Sequence, residues 1–165
     1  MTDTILLVEA RSKDIDELMS WFCDESATAI WGGPGFRYPF TRETFHADCL
    51  WQKMATYVLR GRADSTIAFG QLYERSGRIN LARLAVNPAF RGKGFGRMLM
   101  TELIDKGRDT FELDEYSLFV RIDNPIAFRL YSNIGFTRSK FPIGAPMQDI
   151  CFYMTRPVQR AAPQP

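Results

Sequence analysis

Hydrophobic and polar residues change their spacing several times along this chain, and each change marks an element. Thr4–Ala10, TILLVEA, is an apolar run of strand length. Ile15, Leu18, Met19 and Phe22 then recur at helical spacing through SKDIDELMSWFCDE, with acidic residues early, which predicts a first helix. TRETFHADCLWQK predicts a second. Thr41 opens it, but Thr44 rather than Glu stands three residues on, so the capping box reads as incomplete. Between the two helices, WGGPGFRYPF (residues 31–40) is a Gly/Pro-rich loop carrying four aromatics.

The period then shortens. MATYVLR, STIAFGQLYER and RINLARLAV are β-branched or aromatic-rich runs separated by turn residues, the pattern of an antiparallel meander. From about Gly94 to Arg108 the helical period returns, with Phe95, Leu99 and Leu103 four apart. EYSLFVRI is another strand. NPIAFRLYSNIG is a punctuated helix, with Asn124 suited to the N-cap, Pro125 to the first position and Gly135 to the C′ position. GFTRSKF and DICFYMTR close the pattern as strands, and PVQRAAPQP offers little to pack. The fold class is α/β of the α+β type: antiparallel strands first, then a strand–helix–strand unit.

A length of 165 residues favours one domain, residues 1–156, followed by a flexible tail over 157–165. A composition of 45% hydrophobic and 24% charged residues is globular rather than disordered. No apolar run approaches the roughly 20 residues of a membrane span, and the first residues lack the basic flank and long apolar segment of a secretory signal, so a cytoplasmic location is expected. Cys23, Cys49 and Cys151 are odd in number and widely spaced, with a single histidine for company; this reads as reduced thiols, with neither metal nor disulfide framework. A net charge of +2 is too small to argue for nucleic acid, so any electrostatic message must be local.

That message is local to VNPAFRGKGFGR, residues 86–97. The glycines lie where a strand hands over to a helix N-terminus, whose free N–H groups and partial positive charge attract anions. Gly92, Gly94 and Gly96 allow positive φ and a close approach of a ligand to the amides, and Arg91, Lys93 and Arg97 add charge. The pattern points to phosphate. A Walker A loop needs GxxxxGK[ST], which is missing. A dinucleotide fingerprint needs GxGxxG directly after the strand, whereas here the glycines run GxGxG behind an intervening NPAF. RGKGFG fits the acyl-CoA pyrophosphate pattern [RQ]-x-x-G-x-[GA] at every fixed position. A basic surface turn is the plain alternative.

LARLAVNPAFRGKGFGRMLM followed by NPIAFRLYSNIGF resembles the GNAT superfamily of acyl-CoA-dependent N-acetyltransferases, most strongly over residues 78–137. The resemblance implies a mixed, mostly antiparallel sheet flanked by helices, with a splayed central parallel pair, and acetyl-CoA as acyl donor without a metal. It implies that Leu84, Ala85 and Val86 lie along the acyl-pantetheine arm, and that Arg91, Gly92, Lys93, Gly94, Phe95, Gly96 and Arg97 hold the diphosphate. Asn124 matches a cofactor-contacting asparagine, although simple N-capping explains it equally well. Tyr131 matches the tyrosine that protonates the departing thiolate; a phenol titrating near ~10 stays protonated at neutral pH. Its plain alternative is core packing. Phe128 either packs its helix or lies along the cofactor. The implied reaction is direct attack of an amine on the thioester.

One position departs from the pattern. Many members place a glutamate four residues before the position of Leu84 as general base, and here that residue is Asn80. Glu25, Glu43, Asp48 and His46 are the substitutes considered, each more ordinarily a solvated or structural side chain. The base stays unassigned. By resemblance the acceptor site draws on the first two helices and their loop, with Trp31, Phe36, Tyr38 and Phe40 as walls or as core, and Glu43 and Asn80 as further contacts. The acceptor is a small-molecule, protein or peptide amine, with no nucleic acid or membrane partner, and a homodimer is compatible. A catalytically silent acyl-CoA-binding module is the alternative function.

Overall fold

The computed structural model describes residues 4–164. Met1–Asp3 and Pro165, which the sequence reading gave to the domain and its tail, lie outside the described residues. The strands are β1 (Leu6–Glu9), β2 (Ala55–Arg60), β3 (Thr66–Arg75), β4 (Arg78–Val86), β5 (Glu115–Arg121), β6 (Thr137–Arg138) and β7 (Cys151–Pro157). They form one mixed sheet in the order β1-β2-β3-β4-β5-β7-β6. The helices are α1 (Ser12–Met19), α2 (Glu25–Gly32), α3 (Arg42–Cys49), α4 (Phe95–Thr110) and α5 (Pro125–Asn133). Among the described residues no helix is long and apolar enough to cross a membrane.

The meander is present: β1 pairs antiparallel with β2, and β2 with β3. A two-residue turn, Ser76 and Gly77 at φ 52° and 71°, leads from β3 into β4, the left-handed geometry a tight hairpin requires. The strand–helix–strand unit gives a parallel pair, β4 with β5, in register at Ile79↔Tyr116 and Asn80↔Ser117. Two expectations need correction. The first predicted helix, drawn to residue 25, ends at Met19 as α1, and an unpredicted helix α2 follows, capped by Asp24, which accepts from the Ala27 N–H at 2.7 Å, and taking in Trp31 and Gly32 from the predicted loop. The GFTRSKF strand shrinks to the two residues of β6. The α3 cap, by contrast, is complete. Thr44 Oγ1 accepts from the Thr41 N–H (2.9 Å) and Thr41 Oγ1 from the Thr44 N–H (3.2 Å), so threonine serves where glutamate was looked for.

Contacts gather the chain into two units. The first comprises residues up to Leu72 with Arg83–Leu103. Its core joins Ile15 and Leu18 of α1, Phe22, Phe36, Phe45 and Cys49 to Val58 and Phe69 of the sheet. Each such apolar side chain contributes about 1.5–3 kcal/mol when fully buried. Half of α4 belongs here, and it lies close against the sheet: a Cβ on Gly70 would stand 2.6 Å from Leu103 Cδ1 and 3.0 Å from Leu84 Cδ2. Asp14 is buried, and its carboxylate accepts from Arg60 (2.8 Å), Thr66 (2.9 Å) and the Arg11 N–H (2.7 Å), joining α1 to β2 and β3.

The second unit comprises Tyr73–Ala82 with the residues from Ile104 onward. β5 pairs with β7 through seven residues, from Glu115↔Pro157 to Arg121↔Cys151, and β7 pairs with β6. Tyr116 is buried and donates its hydroxyl to the Ile104 carbonyl at 2.6 Å, tying the middle of α4 to β5. Phe119, Tyr153 and Phe141 form an aromatic row, with the Arg75 guanidinium over Phe119 at 4.8 Å. The tail finds partners the sequence did not suggest. Val158 N–H donates to the Asp114 carbonyl, and Arg160 donates to the carbonyls of Arg108, Phe111 and Leu113.

Candidate active site

The last residues of β4 are not a regular strand. Ile79 and Leu81 are buried at strand spacing, but the next apolar residue is Leu84, three on, because Arg83 has a left-handed backbone at φ 51°. Such a conformation is uncommon for a residue with a Cβ and persists only where its surroundings hold it. They do. The Trp31 indole N–H donates to the Arg83 carbonyl at 2.7 Å, and the Arg83 guanidinium donates to the Cys49 carbonyl at 2.8 Å while lying 5.5 Å from the Phe36 ring centre. Asn87 anchors the strand end. Its N–H donates to the Ile67 carbonyl at 2.9 Å, and its side-chain amide donates to the Thr66 carbonyl at 3.0 Å. Since successive N–H groups of a strand alternate in direction, those of Val86 and Leu84 turn away from β3.

The glycine stretch follows. Pro88–Phe90 makes a 3-10 turn, and Gly92 and Gly94 have φ 74° and 83°, a region that side chains strain to reach. Nothing lies within 4 Å of where a Cβ would sit on either residue, so backbone conformation and open space, rather than crowding, account for these glycines. α4 starts at Phe95, and its first closing bond runs from the Met98 N–H to the Gly94 carbonyl at 3.2 Å. The N–H groups of Phe95, Gly96 and Arg97 precede that bond and are left to other partners. The first turn of α4 carries no acidic residue, and Arg97 stands there instead. A cation beside the positive end of a helix is unfavourable alone and becomes favourable around an anion. Phe90 and Phe95 meet edge to face at 6.1 Å, and Lys93 lies 5.7 Å from the Phe90 ring centre, which gives the exposed loop a frame.

In the second unit, Asn124 caps α5 by accepting from the Ala127 N–H at 3.2 Å, as its position before Pro125 predicted. Phe128 packs edge to face on Phe152 at 5.3 Å, the packing alternative weighed for it. Tyr131 sets its ring 6.4 Å from that of Phe136. Its hydroxyl makes no hydrogen bond among the described residues, and burial around it pushes the phenol up to about 12. At neutral pH this group holds its proton.

The aromatics of residues 31–40 divide. Trp31 stacks on Phe22 (4.5 Å) and lies nearly parallel to Phe45 (8° between planes), while Phe36 is buried against both Trp31 and Phe45. Phe40 packs on Phe45 at 4.8 Å. Tyr38 is exposed and donates to the Cys23 carbonyl at 3.4 Å. Asn80 is buried, 1% exposed, and accepts from the Ser117 hydroxyl at 3.1 Å, which gives it a place in the β4–β5 pair. The substitute bases are mostly engaged. Asp48 receives a bidentate Arg37, which holds it below the usual carboxylate range, and His46 meets Asp16 at 2.8 Å. Glu43 is exposed at the start of α3, held low by its own backbone N–H and the Thr41 hydroxyl. Glu25 stands in the first turn of α2.

Sequence reasoning missed Arg83. The signal was there: in INLARLAV the apolar spacing slips from two to three between Leu81 and Leu84, which is what an extra residue in a strand produces.

The acetyltransferase (GNAT) family model matches residues 15–136 of this chain. The N-alpha-acetyltransferase RimI of Mycobacterium tuberculosis is 42% identical over 55 residues, covering 33% of this chain and 32% of the relative. The ribosomal protein bS18-alanine N-acetyltransferase of Haemophilus ducreyi is 35% identical over 79 residues, 46% of this chain and 51% of that one. The chain therefore spans about half the length, or less, of these curated relatives. Among solved structures, spermidine N-acetyltransferase from Vibrio cholerae in complex with CoA and spermine superposes with a TM-score of 0.72 at 20% identity, over 93% of this chain and 95% of that one. That likeness is one of fold.

Proposed function

The chain belongs to the acetyltransferase (GNAT) family, and from that premise we propose that it moves the acetyl group of acetyl-CoA to a primary amine by direct attack on the thioester. The observation that carries this reading is the pair of left-handed glycines, Gly92 and Gly94, opening onto the first turn of α4, which carries no acidic residue. The residues present fit a diphosphate: main-chain N–H groups of Phe95, Gly96 and Arg97, open space above the glycines, and the cations of Arg91, Lys93 and Arg97. The co-substrate supplies an activated acyl group as its thioester.

The chain's own residues supply the rest. Leu84 and Val86 offer N–H groups directed away from β3, suited to lie along an amide-containing arm and to face a carbonyl oxygen. Tyr131 keeps a proton at its hydroxyl for a departing sulfur. Phe128 lends an apolar surface beside Asn124 on α5. An acyl-cysteine route through Cys49 or Cys151 finds little support: burial pushes Cys49 up to about 12 and raises Cys151, so neither is a thiolate at neutral pH. The acceptor is read as a small-molecule amine or the amine of a protein or peptide, a class that includes what the Haemophilus ducreyi and Vibrio cholerae proteins are named for.

The test is acceptor-dependent release of coenzyme A over a panel of amines, together with calorimetry on Gly94→Glu. We expect release with at least one amine, and loss of coenzyme A binding in the variant, since a carboxylate and a strained backbone then stand among the amides. Unchanged affinity in a folded variant would remove the glycine cradle from the site. Tight binding with no amine-dependent release would leave a silent acyl-CoA-binding module.

A further inference from the structure

The left-handed residue in β4 is gripped from outside the sheet by Trp31. Trp31 and Arg83 are 52 residues apart in sequence, and the indole Nε1–H donates to the Arg83 carbonyl at 2.7 Å. The indole has little freedom to turn. It is stacked on Phe22 and Phe45, with Phe36 and Phe69 edge-on at 5.3 and 5.8 Å. The carbonyl it grips belongs to the same peptide plane as the Leu84 N–H. A trans peptide is rigid, and its C=O and N–H point in opposite directions. Fixing the Arg83 oxygen therefore fixes the direction of the Leu84 N–H, and a strand loosened at Arg83 would let that direction wander.

We propose that Trp31 is a positioning residue for acetyl transfer: its N–H sets the aim of the main-chain donors that follow Arg83 on β4. This rests on the reading that those donors, at Leu84 and Val86, face the acyl arm and its carbonyl. It assigns Trp31 a polar task beyond the wall or core roles its aromatic ring suggests. The Arg83 guanidinium, on the Cys49 carbonyl and the Gln71 side chain (3.3 Å), seats the other end of the same residue.

Two replacements separate the N–H from the ring. Trp31→Phe keeps an aromatic face and deletes the donor; 3-benzothienylalanine at position 31 keeps the bicyclic shape and puts sulfur where the N–H was. For both, kcat should fall about tenfold, less than the ~10²–10³ that loss of an oxyanion donor itself costs. KM for acetyl-CoA should stay within about twofold, since a mis-aimed donor damages the reaction more than binding. Hydrogen exchange over residues 82–87 should quicken several-fold while β2 is unaffected. The benzothienyl protein keeps the test meaningful if Trp31→Phe fails to fold. A kcat within about twofold of the parent, or unchanged exchange at residues 82–87, overturns the proposal. A parent protein inactive on every amine overturns the acetyl-transfer reading and the positioning role with it. The exchange measurement needs no turnover, so it tells that outcome apart from a failed latch.

Discussion

At position 131 a phenol sits with its hydroxyl unbonded among the described residues and its pKa raised to about 12 by burial. Burial of this kind makes a group a poor spontaneous acid but keeps its proton in place throughout the range in which amines ionise. Tyr131→Phe removes only that hydroxyl. We expect coenzyme A affinity to stay near the parent value and kcat to fall by about 10²-fold, the low end for a positioned acid. Equal kcat in a regime limited by chemistry would end its role. The chain announced the residue but not its state. Asn124 could be picked out of NPIAFRLYSNIG because capping is local, and Tyr131 because the motif around it resembles the family's, whereas an unbonded hydroxyl is a property of everything around it. The same limit applies to Asp48 and His46, whose partners Arg37 and Asp16 lie 11 and 30 residues away.

Among the elements, α4 was the most legible, since glycines, cations and a returning helical period all mark its start. α2 was missed because ESATAIWG has no polar face to set against an apolar one, so only Asp24 at its N-cap betrays it. The slip in β4 was visible as a break in alternation and passed over, because alternation is ordinarily read for which face is buried rather than for where it fails. How tightly α4 packs could not be read at all, since a glycine within STIAFGQLYER looks like a weak spot in a strand. In the fold Gly70 is the floor on which Leu103 rests. Gly70→Ala should therefore destabilise, by about 1–3 kcal/mol as overpacking usually does, and lower the midpoint of denaturant unfolding. A midpoint equal to or above the parent's would show that Leu103 and Leu84 yield without cost.

For the molecule as a whole, the family resemblance implied a parallel pair and the short runs before it an antiparallel meander; both are present. The insertion of β7 between β5 and β6 was hidden, because a two-residue strand carries no pattern and pairing across a dozen residues leaves no local trace. Acid stability is a global property with a traceable origin. Desolvation works to raise the Asp14 pKa, but the bonds from Arg60, the Arg11 N–H and Thr66 outweigh it and hold the folded carboxyl below its ordinary value. A carboxylate lowered in the folded state contributes stability above its unfolded pKa of about 3.9, and that contribution is lost as pH falls through the folded value. Unfolding free energy should thus drop as pH goes from about 5 to below 4. Asp14→Asn should be about 3 kcal/mol less stable at pH 7, with a flatter acid profile. Parallel profiles for variant and parent would assign the acid sensitivity to other carboxylates.

Arg160 has a consequence for α4 as an electrical object. The residue reaches the carbonyls of Arg108, Phe111 and Leu113, where the helix ends and its negative pole lies. The polypeptide neutralises that pole with a charge of its own, carried on its final segment. The opposite pole, above Gly94, is supplied with further positive charge and left for a visitor. Shortening the protein before residue 160 would therefore do more than trim a loose end: it would leave the carbonyls at and just past the end of α4 without the guanidinium that now meets them.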